Sequence, residues 1–227
     1  MDFSLFDLLS WYLVFLFSLV AHEASHALAA WKLGDSTAYD GGQVTLDPTP
    51  HIKREPWGTV VVPLVAFISN GWMIGWASAP YNRMWARLYP KRAALMALAG
   101  PVANIIIVII AFALMKAGLA ADIFTSPDSA SLQRVVVSTN GGWAYAAAQI
   151  LSIAFSLNLI LFLFNLLPLP PLDGSSIIKL VLPDSVQAKY DDLVSHPAAA
   201  WGGILAAWYF FPTVGFPLLG AAIRFVS

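Results

Sequence analysis

The chain is expected to be an all-α polytopic membrane protein. About four full transmembrane helices are predicted, with one re-entrant or additional helical segment at 57–79 and a small β-hairpin after the first helix. Three observations predict this. Of 227 residues, 59% are hydrophobic and only 11% are charged, with mean hydropathy +0.71; a globular domain carries about 25% charged residues. The apolar residues gather in runs long enough to cross a hydrocarbon core, which takes about 20 residues of helix. Between the runs, Pro, Gly and polar clusters break the pattern. The net charge of −1 argues against a nucleic-acid partner. The absence of cysteine excludes thiolate ligands and disulfides.

The first helix is predicted over 3–32, ending near Gly34, with Asp7 the only charge before the polar cluster at 22–26. It lacks the basic n-region of a cleavable signal and reads as retained. Residues 35–56 are polar and turn-rich, and Gln43, Val44, Thr45 and Leu46 alternate as a strand would. They are read as one side of the hairpin, followed by an irregular Asp47-Pro48-Thr49-Pro50-His51. An unpaired strand edge there is a possible edge for an extended peptide, by β-augmentation; an ordinary connecting hairpin fits equally well. The segment 57–79 is apolar but interrupted by Pro63, Asn70-Gly71 and Gly75, and a basic loop with Arg83, Arg87, Lys91 and Arg92 follows. Further spans are expected at 93–115, 143–167 and 198–225, with loops at 116–140 and 175–197.

The chemistry concentrates in Ala21-His22-Glu23-Ala24-Ser25-His26. On a helix His22 and His26 are four apart and share a face. With Glu23 between them they form the H-E-x-x-H arrangement, in which the histidines bind Zn²⁺ and the glutamate is a general base. Two histidines satisfied inside a bundle, or a chance match, is the competing reading. It fares poorly where ionisable groups lie about 28 Å along an apolar helix, since each such group costs several kcal/mol unless paired.

A catalytic zinc site holds three protein ligands and keeps one position open. The candidates for the third are His51, His196 or a carboxylate at membrane depth. Asp173 fits best: it ends an apolar span where Pro170-Pro171 breaks the helix and Gly174 permits a turn. Irregular backbone at that depth is tolerated where it lines a cavity or is buried in protein. His51 reads more readily as a loop residue bonding local backbone, and His196 as the start of a helix. Trp31, Trp57, Trp85 and Trp143 fall near span ends, as an aromatic belt would. Gln149 and Asn158 read as interhelical hydrogen-bonding residues.

HEASH, AGPVAN and NLLPLPPLDG, in that order on three apolar segments, resemble the site-2 proteases, the zinc intramembrane metalloproteases. The likeness runs from the first helix to Gly174, includes GQVTLDPTPHIKREPWGT, and is to the small prokaryotic type without PDZ or CBS domains. It implies one integral-membrane metalloprotease domain over 1–227, with a catalytic core at about 3–180 and a C-terminal helix at about 198–226. His22, His26 and Asp173 would be the metal ligands for Zn²⁺. Glu23 would be the base for a metal-activated water. Asn165 would hydrogen-bond the substrate backbone or the oxyanion, and Asn104 would be a structural partner in the core or one step behind the ligands. The implied reaction is hydrolysis of peptide bonds in or near the membrane segments of single-span proteins. The rival is a non-proteolytic zinc-binding membrane protein or a metal transporter using the same His/Asp site. Membrane lipid is the only other partner expected.

If every apolar run crossed fully, His26 and Asp173 would end on opposite faces. Ligand bonds of about 2 Å forbid that unless both sit mid-bilayer. If 57–79 turns back near Asn70-Gly71, both ends share one side. Five full spans divide the 12 Lys and Arg evenly. The re-entrant arrangement puts Lys32, Lys53, Arg54, Arg83, Arg87, Lys91, Arg92, Lys179 and Lys189 on the site's side, leaving Lys116, Arg134 and Arg224 opposite. The positive-inside rule then makes the site's side cytoplasmic, and the resemblance to the small prokaryotic type implies a bacterial or archaeal plasma membrane.

Overall fold

The computed structural model describes residues 4–226; the expected helix start at Phe3 lies outside them. Helix α1 spans Leu5–Leu33. Its first turn is closed reciprocally, with Asp7 N–H donating to Ser4 Oγ at 3.1 Å and Ser4 N–H to Asp7 Oδ2 at 3.0 Å. It stops at Gly34, whose φ of 107° is open to glycine and strained for other residues. At 1.5 Å per residue, α1 is about 43 Å long, enough to cross a hydrocarbon core of about 30 Å.

Short helices α2 (Thr37–Asp40) and α3 (Pro48–Arg54) follow. The predicted hairpin is absent, and no strand occurs among the described residues. Local capping explains the correction. Asp35 Oδ1 accepts from Thr37 N–H and Oγ1–H, starting α2, and Gln43 N–H folds back to Ala38 O. Asp47 accepts from Thr49 N–H with Pro48 at the first helical position, starting α3. Gln43 to Leu46 are thus four residues held between two helices. Their alternating pattern has no second strand to pair with, so the edge-strand role expected for Gln43, Val44, Thr45 and Leu46 falls away.

A π-helical turn at Trp57–Val61 runs into α4 (Val62–Asn70), which ends at Gly71 in the left-handed region. The chain then returns without helix through residue 82. Trp76 N–H donates to Gly58 O at 3.1 Å, Ser78 Oγ–H to Glu55 Oε1 at 2.8 Å, and Asn82 N–H to Asp35 Oδ2 at 2.7 Å. The segment therefore comes back to the level it left. The expected basic loop is instead α5 (Arg83–Leu88), capped by Asn82, and the first turn of α6 (Pro90–Ala120). Trp85 is buried there rather than set in a belt, whereas Trp57 and Trp143 are exposed.

Helix α7 spans Trp143–Asn165, and α8 (Asp173–Ile177) continues into a 3-10 turn at Ile178–Leu180. Helix α9 (Asp184–Val194) occupies part of the expected loop at 175–197, and α10 spans Pro197–Val226. Among the described residues four helices, α1, α6, α7 and α10, are long and apolar enough to cross a membrane.

α1, α6 and α7 form the centre. Arg92 donates to Leu33 O at 3.2 Å, joining the end of α1 to the start of α6. Gln149 Nε2 donates to Asp7 Oδ1 at 2.8 Å, joining the starts of α1 and α7. One apolar cluster packs Trp11, Phe15 and Leu19 of α1 against Phe67, Met73, Ile153 and Leu157. A second brings Val135 and Val136, from the loop before α7, against Met115, Phe155 and Phe211. Much of the outer surface of α1, α6 and α10 is exposed Leu, Ile, Val and Phe. A bilayer covers such a surface at no cost in apolar area.

Candidate metal centre

His22, Glu23 and His26 lie in the second half of α1 and are all buried. Their rings stand edge to face, 4.6 Å between centroids, as i,i+4 geometry sets them. They lean on Gly100 of α6. A Cβ there would collide with His26 Nε2 and His22 Nε2, so only glycine lets the two helices close at this height.

Asp173 arrives from the other side. After Asn165, Leu166 closes α7, and Pro168, Pro170 and Pro171 offer no N–H to continue a helix. Tight turns carry the chain to Asp173, with Leu169 N–H on Leu167 O at 2.8 Å and Leu172 N–H on Leu169 O at 2.9 Å. Gly174 is packed so closely on the carbonyls of Leu166 and Leu167 that a Cβ would overlap both. The turn thus delivers the carboxylate to the histidines: Oδ2 is 3.2 Å from His22 Nε2 and Oδ1 is 3.3 Å from His26 Nε2.

The hydrogen bonds fix the protons. His26 Nδ1 lies 2.8 Å from Met96 O, a carbonyl that only accepts, so Nδ1 carries the proton. His22 Nδ1 lies 2.6 Å from Asn104 Oδ1, whose own amide donates to Asn158 Oδ1 at 2.8 Å, so Nδ1 again donates. With both imidazoles neutral, as metal ligands must be, both Nε2 atoms are then bare lone pairs, and they face each other at 3.0 Å. Asp173 Oδ2 is buried with no hydrogen-bond partner. Three acceptors thus converge with no proton among them, an arrangement that repels itself unless a cation lies between. The two Nε2 atoms stand 3.0 Å apart, and the carboxylate straddles them, Oδ2 at 3.2 Å from His22 and Oδ1 at 3.3 Å from His26, spacings that suit one. Ligands at about 2.0–2.1 Å in tetrahedral geometry stand about 3.3 Å apart. The donor set of two imidazoles and a carboxylate is one that zinc accepts. A Glu23 carboxylate oxygen lies within 4.8 Å of the histidine ligand nitrogens.

The other predicted residues are placed as follows. Asn104 is fully buried on α6 between His22 and Asn158. Asn165 is half-buried at the end of α7, eight positions before Asp173. His51 is buried, its Nε2–H bonded to Thr45 O at 3.2 Å. His196 Nδ1 accepts from Ala198 N–H at the start of α10.

Sequence reasoning missed three contributions. Gly100 sits inside the AGPVAN motif, which marked the place but not the role. Met96 offers a main-chain carbonyl, for which no side-chain pattern exists. The third is the returning segment 72–82, anchored with Gly75 against Phe15 and with Asn82 on Asp35. Between those anchors Trp76 N–H reaches Gly58 O and Ser78 Oγ–H reaches Glu55 Oε1. Over 72–81, Trp76 N–H is the one main-chain group bonded to another main-chain group among the described residues. The segment therefore presents an open main-chain edge.

A membrane-spanning bundle with H-E-x-x-H and a distant aspartate gathered around one point defines the class of integral-membrane metalloproteases. The family model for Peptidase family M50 matches residues 10–205, and the chain belongs to that family, the site-2 proteases. It is a metalloprotease and, with its four apolar helices, an integral membrane protein. It is 36% identical over 180 residues to "Putative zinc metalloprotease YwhC" of Bacillus subtilis, covering 79% of this chain and 72% of that protein. It is 30% identical over 200 residues to "Putative zinc metalloprotease Rip2" of Mycobacterium tuberculosis, covering 86% and 68%. The protein of the same name from Mycolicibacterium smegmatis is 26% identical over 190 residues, covering 84% and 62%. No solved structure matches the chain.

Proposed function

We propose that the chain is a zinc-dependent intramembrane endopeptidase, one metalloprotease domain that hydrolyses peptide bonds in or near the membrane segments of single-span proteins. The observation that carries this reading is the convergence of the two Nε2 atoms, 3.0 Å apart, with the buried Asp173 carboxylate, whose oxygens lie 3.2 and 3.3 Å from His22 and His26, inside a bundle of membrane-length helices. His22, His26 and Asp173 hold the Zn²⁺. When bound, it supplies Lewis acidity for a water and for the scissile carbonyl.

The chain's own residues do the rest. Glu23, buried beside the ligands, takes the proton of the attacking water and passes it to the leaving amine. Asn165, at the mouth of the turn that carries Asp173, is within the chain's reach to hydrogen-bond the substrate backbone or the oxyanion. A substrate helix hides its carbonyls in its own hydrogen bonds and must open before attack. The unpaired edge at 72–81 offers main-chain partners to the opened, extended segment.

Placement follows from charge. The Arg92–Leu33 contact ties the α1 end to the α6 start. Helix order then puts Lys32, Lys53, Arg54, Arg83, Arg87, Lys91, Arg92, Lys179 and Lys189 at the site's end of the bundle. That bias supports a re-entrant 57–79 and a site nearer the cytoplasmic face, and the bacterial relatives support a bacterial or archaeal plasma membrane. A transporter would need a polar path through the bundle. Beyond the histidines, Trp11, Phe15, Ile153 and Leu157 instead pack the interior with 2% exposure or less.

Purified protein in proteoliposomes with a panel of single-span membrane peptides, with and without chelator, tests the reading. Glu23→Gln should lower cleavage by about 10²–10⁴-fold while bound zinc stays at the wild-type level. A wild-type protein that binds no zinc, or a Glu23→Gln protein that cleaves normally, would overturn it. So would zinc transport by the wild type that persists in Glu23→Gln.

A further inference from the structure

We propose that Asn158 is a positioning residue for the metal centre, acting through Asn104 to hold His22 in the one tautomer that can ligate. The inference rests on the zinc reading above.

Asn158 lies on α7, fully buried, and touches none of the ligands. Its amide nitrogen donates to Ala154 O and to Ser18 Oγ, both at 2.8 Å. Ala154 O is a main-chain carbonyl and can only accept, so the amide is pinned with Oδ1 pointing the other way. That oxygen receives Asn104 Nδ2–H at 2.8 Å. Asn104 is pinned in turn, its own Oδ1 turned to His22 Nδ1 at 2.6 Å. Direction is passed along the chain from a fixed carbonyl to the imidazole. Each link crosses between helices: α7 to α6, then α6 to α1, with Ser18 on α1 one turn before His22.

Without Asn158, the Asn104 amide is free to reverse. Its Nδ2–H would then face His22 Nδ1, which must become the bare nitrogen, and the proton would move to Nε2. Protonated Nε2 cannot ligate, and the lone pair would point away from Asp173 and His26. In water such a preference is slight. Where Asn104, Asn158 and Ser18 are all fully buried, a donor facing a donor has no solvent to relieve it. Ligating histidines elsewhere depend similarly on the partner of their second nitrogen.

The test compares two buried amides of the same helix in the purified full chain. Zinc affinity is measured by titration against a chelating competitor, and His22 tautomer by ¹⁵N ring shifts in the metal-free protein. Asn158→Leu should weaken zinc binding about 10–100-fold and move His22 toward Nε2–H. Asn158→Asp, which keeps an acceptor for Asn104 Nδ2–H and when neutral keeps a donor for Ala154 O, should restore binding to near wild type. Gln149→Leu, which removes the Gln149–Asp7 bond at the opposite end of α7, should lower thermal stability and leave affinity and tautomer unchanged. If Asn158→Leu fails to fold, Asn158→Ala, which removes the same acceptor without added bulk, carries the test, with weaker zinc binding expected and unchanged binding contrary. Asn158→Leu with the affinity of Gln149→Leu, or Asn158→Asp as weak as Asn158→Leu, would overturn the inference alone. A wild type that takes up no zinc overturns the metal reading itself.

Discussion

The two ends of the bundle both bury polar side chains and treat them in opposite ways. At the end holding the starts of α1 and α7, buried donors are matched to acceptors across elements. Trp11 Nε1–H is on Gln133 Oε1 at 2.8 Å and Gln149 Nε2–H is on Asp7 Oδ1 at 2.8 Å. Ser152 Oγ accepts from Val135 N–H at 3.0 Å and Val136 N–H at 3.2 Å. At the other end, acceptor faces acceptor at His22, His26 and Asp173. Burial of polar groups is common to both. What separates the metal centre is that its unmatched acceptors converge on one point, and an unmatched buried acceptor costs about 1–3 kcal/mol.

The sharpest way to break that contrast is Gly100→Ala. In a helix interior the change favours folding by about 1 kcal/mol, since alanine loses less backbone freedom than glycine. At Gly100 the added methyl has nowhere to go but the imidazoles of His22 and His26. The expected outcome is a protein with wild-type helix content by circular dichroism that retains little or no zinc and does not cleave. Normal zinc content in this variant would mean that α1 and α6 do not close at Gly100, and the ligand geometry would have to be redrawn.

Much of this was legible from residue types alone, for physical reasons that differ from element to element. Apolar runs of about 20 residues are dictated by a bilayer, so α1, α6, α7 and α10 could be placed to within a few residues. His22 and His26 share a face by helical geometry. Asp173 stood out because two prolines and a glycine break an apolar span beside it, and the structure brings it within 3.3 Å of both histidines. The hairpin failed because capping at Asp35 and Asp47 is worth about 1 kcal/mol apiece, whereas four alternating residues without a partner strand gain nothing. Asp47-Pro48 was a helix start in plain view. The Asn104–Asn158–Ser18 chain could not have been read, since its members lie 54 and 140 positions apart. No local pattern records which buried amide faces which.

A middle-sized effect is expected from the closed end. Ser152→Ala leaves the amides of Val135 and Val136, buried in the apolar cluster, without their acceptor. Two such losses together cost about 2–6 kcal/mol. Thermal unfolding of the detergent-purified protein should fall accordingly, while zinc affinity at the far side of the bundle stays as it was. A loss of zinc affinity equal to the loss of stability would show that the two ends are not independent.

The smallest effect lies at the rim of the open end, where α9 docks on the element carrying Asp173. Tyr190 O–H donates to Ser175 O at 2.8 Å, and Lys179 pairs with Asp191 at 2.6 Å. Burial, and secondarily the Asp191 carboxylate, push the Tyr190 phenol above its ordinary value near 10. The folded state thus holds this proton more tightly than the unfolded chain does. The stabilisation is intact below about pH 10 and is lost as pH climbs through the raised folded value, when the phenolate can no longer donate to Ser175 O. Proteolytic nicking in 181–196 should therefore accelerate only in that alkaline window. Tyr190→Phe, lacking the donor, should nick somewhat faster at neutral pH, in keeping with one hydrogen bond of about 0.5–1.5 kcal/mol, and show no alkaline step. An alkaline step that survives in Tyr190→Phe would assign the docking of α9 to the Lys179–Asp191 pair instead.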